Sequence, residues 1–327
     1  MNYQNLLNEF NGNLQKIIVQ ITGELQLETF LQEMIDYQIK QGGKRFRPLL
    51  MIEVGKVFHC EPQLMNYLAA TVEIIHNASL VHDDIQDYDA KRRGAIAAWK
   101  YFSRPQAINL GDVLMILALE LIYKSTANEI DQLQLVKLVT RAIKELINGQ
   151  VLDIEKKNSC YLTMDEYDKI IYGKTGSLFR LVFAIIADFA PTKARNEDLM
   201  QEEMLQLGTF VGRIFQIRDD IIDFTGKKEG RKIHQDIEHG RVSILKALAY
   251  KYASPETRDW FESISECNKR NPENIKKLVE IYKKLDVMRL ATEIIQQEKT
   301  KINNLSLMKN NRELSKTIGG FFEFLDI

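Results

Sequence analysis

An all-α fold, a large single-domain helical bundle around a central cavity, is predicted for this chain of 327 residues. Three observations carry the prediction. Apolar residues recur at helical spacing along most of the sequence, while the alternation that marks a half-buried strand is scarce. The six prolines, Pro48, Pro62, Pro105, Pro191, Pro255 and Pro272, fall between or at the start of periodic segments, where proline is tolerated. No Gly/Ser linker divides the sequence, so residues 1–327 are assigned to one domain.

The elements follow in order. Leu6, Leu7, Phe10, Leu14, Ile17, Ile18 and Ile21 lie at helical spacing and predict an amphipathic helix over 2–21. A second helix is expected over 26–40. Pro48 suits the first turn of a third over 47–58. Helices over 64–87 and 105–123 follow Pro62 and Pro105. Longer ones over 129–156, 164–189 and 196–224 fill the middle of the chain, and shorter ones over 241–253, 274–283, 286–303 and 308–325 complete it.

Composition narrows the function. A hydrophobic content of 45% can build a large core. A net charge of −1 gives no global field for nucleic acid or an anionic membrane, and the basic residues instead form local clusters. Cys60, Cys160 and Cys267 are odd in number, widely spaced and without a CxxC pair. They read as reduced thiols of a cytoplasmic protein rather than a disulfide framework or zinc site. No signal peptide is expected. Apolar runs such as Val113–Leu119 fall short of the roughly 20 residues that span a bilayer, so no transmembrane segment is expected.

The informative feature is a repeated motif. His82-Asp83-Asp84-Ile85-Gln86-Asp87 and Arg218-Asp219-Asp220-Ile221-Ile222-Asp223 both read DDxxD inside apolar, helix-like stretches. Residues four apart share a helix face, so Asp83 and Asp87 point one way, as do Asp219 and Asp223. Like charges a turn apart destabilise a helix unless a cation joins them. Carboxylates without Cys or His partners suit Mg²⁺, which keeps several waters and is completed by substrate phosphates. Two such faces opposing each other would hold a diphosphate through bridging metals. A lone acidic cluster is more often a solvated face, but both copies sit among apolar neighbours, where charge needs a partner. Cations accompany them. Gly43-Lys44-Arg45-Phe46-Arg47-Pro48 precedes the third helix, and Arg92 and Arg93 follow the first motif at a spacing of about a turn and a half of helix. Arginine grips diphosphate through a forked guanidinium, and lysine acts as a compact charge.

In order along the chain, from about residue 40 to residue 241, stand GGKRFRP, HxxSLVHDD, DDIQD, RRG, GQVLD, KTG and FQIRDDIID. This set resembles the trans-type isoprenyl diphosphate synthases, the polyprenyl synthetase family. The resemblance implies the isoprenoid synthase fold with a prenyl-binding cavity, a homodimer, three Mg²⁺ per active site, and condensation of an allylic diphosphate with isopentenyl diphosphate. It implies that Asp83, Asp87 and Asp219 bind metal directly, with Asp223, Asp84 and Asp220 in support. Asp84 and Asp220 are also open to a structural reading, capping or pairing a nearby arginine. Arg92 would hold the allylic diphosphate, and Lys44, Arg47, His76 and Arg93 the isopentenyl diphosphate. For His76 the bland alternative is a hydrogen-bonded core histidine, and Arg45 is ambiguous between phosphate and an acidic neighbour. His82 is read as structural. Lys174 would contact diphosphate, while the Thr175 hydroxyl and Gln216 amide oxygen would face the allylic cation. Lys232 would reach the allylic diphosphate from a flap, although Arg231 and Arg241 stand where the family usually has glycine and lysine. The chain ends Phe321-Phe322-Glu323-Phe324-Leu325-Asp326-Ile327, without the basic tail of many relatives.

Two positions bear on product length. In the family, large side chains four and five residues before the first Asp form a floor for short products; here they are Ser79 and Ala78. The expectation is a product longer than C15. Alternatives are a farnesyl diphosphate synthase and a catalytic subunit needing a small partner chain. A class I terpene cyclase would normally lose the second DDxxD, and a purely regulatory subunit need not keep the catalytic set.

Overall fold

The computed structural model of the chain describes residues 3–126, 128–191, 197–226, 234–264 and 271–326. In chain order the elements are α1 (Tyr3–Glu24), α2 (Thr29–Lys40), α3 (Phe46–Val57), α4 (Pro62–Asp87), β1 (Lys91–Arg92), β2 (Ala95–Ile96), α5 (Ala98–Tyr101), α6 (Arg104–Ser125), α7 (Glu129–Lys156), α8 (Met164–Lys174), α9 (Gly176–Phe189), α10 (Glu197–Thr225), α11 (Gln235–Glu238), α12 (Ile244–Tyr252), α13 (Pro255–Ser263), α14 (Pro272–Lys284), α15 (Val287–Asn304), α16 (Ser306–Asn310) and α17 (Arg312–Phe324). The all-α class is as the periodicity predicts. Backbone contacts divide the chain into two compact units: Met1–Arg141 with Leu181–Met204 and Asn311–Ile327, and Ala142–Arg180 with Leu205–Asn310.

The first unit is built on α4. Its start is fixed by Pro62 in the first turn and by the Glu61 carboxylate, which accepts from the backbone N–H of Gln63 at 2.9 Å. Leu68, Val72, Ile75, Ala78 and Val81 are fully buried along it, and Leu110, Leu114, Leu117 and Leu121 are buried on its partner α6. The two helices can approach closely at Gly111, where an added Cβ would collide with the His82 ring. His82 therefore packs structurally, with Nε2 3.5 Å from Asp112.

A buried polar hub joins the helices of this unit. Arg45 caps α3 in a left-handed conformation, with φ 47°. Its guanidinium pairs with Glu73 of α4, donates to the Ile39 carbonyl at 2.7 Å and to Asn11 at 3.1 Å. Asn77 donates to the same Glu73 carboxylate at 2.8 Å and accepts from Gln38 at 3.4 Å. The ambiguity over Arg45 is thereby resolved: its charge is matched inside the protein.

In the second unit, α8 starts on a capping box between Thr163 and Glu166. It crosses α7 where two glycines meet. A Cβ on Gly173 would stand 2.8 Å from the Gly149 Cα, and one on Gly149 would strike the Lys174 nitrogen. Arg213 of α10 grips Asp168 of α8 with two bonds of 3.1 Å and pairs with the buried Glu298 of α15.

Several expectations need correction. The helix expected over 164–189 is broken at Thr175, and α8 and α9 meet at 51°. The short α5, α11, α13 and α16 were not expected, nor was the β1–β2 hairpin. The turn of this hairpin places Arg93 (φ 52°) and Gly94 (φ 82°) in the left-handed region that a tight hairpin demands. Arg92 and Arg93 are therefore carried by a hairpin, and their spacing from the first motif is not helical. By length and composition alone α6, and the bent pair α8–α9, are apolar enough to cross a bilayer, but half of the apolar window of α6 is buried within the protein, and no clear membrane span is present among the described residues.

Removing one partner of a fully buried ion pair typically costs about 3–5 kcal/mol. Glu73→Ala should lower the free energy of unfolding by that order, read from the midpoint of urea denaturation, because Arg45 and Asn77 lose their shared acceptor.

Candidate active site

In the first unit, α4 ends on the first DDxxD. Asp83 and Asp87 are partly accessible and share a face, whereas Asp84 between them is buried. The chain turns at Tyr88, whose left-handed conformation (φ 57°) closes the helix. This return brings Arg92 against Asp84. Its Nε donates to Asp84 at 2.7 Å, the Nη2 group makes a second contact, and Asp89 lies 3.8 Å away. Loss of water pushes the Asp84 carboxyl up to about 6, and Arg92 opposes that rise. Burial works against the Arg92 charge too, but Asp84 outweighs it and holds the guanidinium protonated. The structural reading of Asp84 is the one observed: it orients Arg92.

Arg93, on the hairpin turn, donates to the Gly42 carbonyl. Its guanidinium lies so close to Gly43 that an added Cβ would collide with it, and Gly42 (φ 70°) and Gly43 (φ 129°) both take conformations that favour glycine. Lys44 is exposed in the same loop, while Arg47 is buried in the first turn of α3. His76 is half-buried on α4. Loss of water, then the positive charges of Arg47, Arg93, Arg92 and Arg45, hold its imidazole well below the usual histidine range.

In the second unit the second DDxxD divides differently, with Asp220 and Asp223 both buried. Asp219 is partly accessible and lies 3.6 Å from Arg218. Asp220 is buried and accepts three hydrogen bonds: from the Tyr167 hydroxyl at 3.0 Å, the Ile244 N–H at 2.8 Å and the Gln216 amide at 2.9 Å. Loss of water, then the charge of Asp236, raises its carboxyl well above the ordinary range. Asp223 accepts from the Asp236 N–H at 2.9 Å through Oδ2. Its buried Oδ1 has no hydrogen-bond partner among the described residues. Thr175, at the break between α8 and α9, donates to the Gln216 carbonyl oxygen at 2.6 Å. Its proton spent there, the Thr175 oxygen keeps its lone pairs as a negative dipole end, and the Gln216 oxygen keeps a second lone pair beside the one that accepts from Thr175. Lys174 pairs with Asp153 of α7 at 2.6 Å. Arg241 lies 3.7 Å from Asp236. Lys232 and Arg231 lie outside the described residues.

The polyprenyl synthetase family model matches residues 28–282, running through both units. The chain belongs to the polyprenyl synthetase family. It is a prenyltransferase, and enzymes of this family use allylic and isopentenyl diphosphates with divalent metal ions. It is similar to the short chain isoprenyl diphosphate synthase of Methanocaldococcus jannaschii, at 31% identity over 272 residues, 83% of this chain and 81% of that protein. It also resembles the octaprenyl diphosphate synthase of Escherichia coli, at 26% identity over 73% of this chain and 71% of that one. Among solved structures, geranylgeranyl pyrophosphate synthetase from Pyrococcus horikoshii Ot3 superposes with a TM-score of 0.82 at 27% identity, covering 99% of each chain. The fold of this prenyltransferase is therefore the isoprenoid synthase fold.

In the first unit Asp83 and Asp87 on α4, and in the second Asp219 and Asp223 on α10, are carboxylates without thiolate neighbours, and carboxylate oxygens are donors that suit a hard divalent cation. Two participants escaped the sequence reading. Asp153, the partner of Lys174, is the last residue of Gly149-Gln150-Val151-Leu152-Asp153, so its signal was present but its role was not. Tyr167 carried no signal.

The sign of the His76 shift gives a test. A histidine whose folded pKa lies below its unfolded value of about 6.5 adds stability above that pH, and this is lost as pH falls through the folded pKa. NMR should find the His76 ring neutral at pH 6.5. Inorganic pyrophosphate, by offsetting the surrounding guanidinium charge, should raise its pKa measurably, and stability should decline below about pH 6.5 less steeply in His76→Gln.

Proposed function

We propose that the chain is a Mg²⁺-dependent trans-prenyltransferase of the cytoplasm that condenses an allylic diphosphate with isopentenyl diphosphate and releases a product longer than C15. The observation that carries the reading is a DDxxD whose buried middle carboxylate orients Arg92, on a hairpin whose next residue, Arg93, docks on the glycine loop that carries Lys44 and leads into Arg47. Lys44, Arg47, His76 and Arg93 bind the isopentenyl diphosphate, and Arg92 the allylic diphosphate. Asp83, Asp87, Asp219 and Asp223 supply oxygens to Mg²⁺, three ions per active site. When bound, Mg²⁺ neutralises the charge that develops on the leaving diphosphate. Lys174, oriented by Asp153, adds a cation to that diphosphate, as does Lys232. Thr175 turns its oxygen to the allylic cation, held in that orientation by Gln216, so the protein stabilises charge without taking a proton. The proton lost after attack goes to the departing diphosphate. The family match through both units supports residues 1–327 acting as one synthase domain.

A homodimer is the assembly proposed. No interface was legible in the sequence, but Ile108, Ile116, Leu119 and Tyr123 are exposed along one side of α6, an apolar stripe that a second copy would cover. Product length is read from α4. Ala78 is fully buried and Ser79 partly so, its hydroxyl donating to the His76 carbonyl at 2.8 Å. Neither supplies a large floor. A helical turn rises about 5.4 Å, close to one extended isoprene unit, so a missing floor admits roughly one more unit per turn. The product is then C20 or longer. A farnesyl product, or dependence on a small partner chain, is the competing reading, and assaying the chain expressed alone decides the latter.

Two experiments test this reading. Asp83→Ala and Asp219→Ala should each reduce turnover with Mg²⁺ by orders of magnitude while helicity is retained; near-normal turnover in both would refute the metal assignment. Chromatography of the products should show C20 or longer material from the native enzyme and a shorter product from Ala78→Phe. A C15 end product from the native chain, or no shortening in the variant, would overturn the chain-length reading.

A further inference from the structure

Three segments far apart in sequence meet at Lys44. Tyr3 stands at the start of α1, Phe324 at the end of α17 and Lys44 in the loop entering α3, and all belong to the first unit. The Tyr3 hydroxyl donates a hydrogen bond to the Lys44 carbonyl. Burial, then the charge of Glu73, raises the pKa of this phenol, so it remains a donor. The Tyr3 ring stacks on Phe324, with centroids 3.4 Å apart and planes inclined by 16°. The Lys44 ammonium stands over the Phe324 ring, 5.6 Å from its centroid, within the roughly 6 Å over which a ring face attracts a cation. One turn earlier on α17, Phe321 packs edge-on against Phe46 at 5.2 Å, which anchors this helix beside the loop.

Lys44 is thus held at its backbone by one ring and at its charged head by another. A lysine on a flexible four-carbon stem loses rotamer freedom when it grips an anion. A contact that already confines the side chain reduces that loss and favours binding. We propose that Tyr3 and Phe324 form an aromatic clamp that positions the Lys44 ammonium for the isopentenyl diphosphate, so that α1 and α17 act as positioning elements for one substrate. The inference rests on the assignment of Lys44 to that diphosphate. Phe324 contributes no charge and acts only through the cation of another segment.

The test is steady-state kinetics on the full chain, with the Michaelis constant measured separately for each substrate. Phe324→Leu keeps an apolar side chain but loses the ring face, and Phe324→Tyr keeps the face. Phe324→Leu should raise the constant for isopentenyl diphosphate about two- to fivefold, leave that for the allylic substrate and kcat unchanged, and be rescued by Phe324→Tyr. In a Lys44→Ala background the same substitution should have no further effect. No rise in the native background, or an equal rise in both, would overturn the clamp. If Lys44→Ala alone leaves the constant unchanged, the assignment of Lys44 fails instead, and the two failures are distinct. Should thermal unfolding show Phe324→Leu to be misfolded, Tyr3→Phe, which removes only the hydroxyl on the Lys44 carbonyl, carries the same comparison with the same expected direction.

Discussion

A carboxylate removed from water must find compensating hydrogen bonds or charge, and each aspartate-rich motif of this protein places its middle residue under that constraint. Asp84 meets it with Arg92, and Asp220 meets it with a phenol, an amide and a backbone N–H. The consequence reaches beyond the two residues. Asp84 turns a hairpin arginine into a fixed fork, and Asp220 ties α8, α10 and the start of α12 together around the break at Thr175. The first and last carboxylates of each motif lie four residues apart on one helix face, and the spacing DDxxD sets beside them a buried anchor that holds their surroundings in place.

The second constraint is close approach of helices. Gly149 and Gly173 let α7 and α8 cross with backbones nearly touching, and this contact sets Lys174 beside Asp153. Immediately afterwards the helix breaks. Thr175 is left at the bend, free of the regular side-chain packing of a continuous helix, and its hydroxyl spends its proton on Gln216. Adjacent residues are thus fixed by different means, Lys174 by an ion pair and Thr175 by a hydrogen-bond chain that runs through Gln216 to Asp220.

Legibility in the sequence followed the range of the interactions involved. The helical class, the DDxxD faces and the cationic character of Gly43–Pro48 depend on residues close together along the chain, and periodicity and spacing exposed them. The break at Thr175 did not show, because Ile170, Ile171, Leu178 and Leu181 continue the apolar pattern through it and only Gly173 and Gly176 hint at a change. The hairpin carrying Arg92 and Arg93 is two residues per strand, too short for alternation to register. The exposed stripe on α6 was hidden because α6 is apolar on its buried side as well, so composition alone gave no face. Pairings between distant segments, Arg45 with Glu73 and Asp220 with Tyr167, left no local trace at all.

Arg45 shows why such pairings matter for reading a cationic motif. Lys44, Arg45 and Arg47 look equivalent in sequence, yet their surroundings divide the labour. Arg45 is buried and matched by Glu73, so its charge is spent on holding the left-handed entry into α3. That entry fixes where the chain passes from the exposed Lys44 to the buried Arg47 and how both stand relative to His76. A residue whose own charge is matched inside the protein therefore sets the geometry of the cations on either side of it. The same logic applies to the buried Asp84 beneath Arg92 in the first unit and to the partly buried Asp153 beside Lys174 in the second: in each case an acidic partner decides where a cation can point.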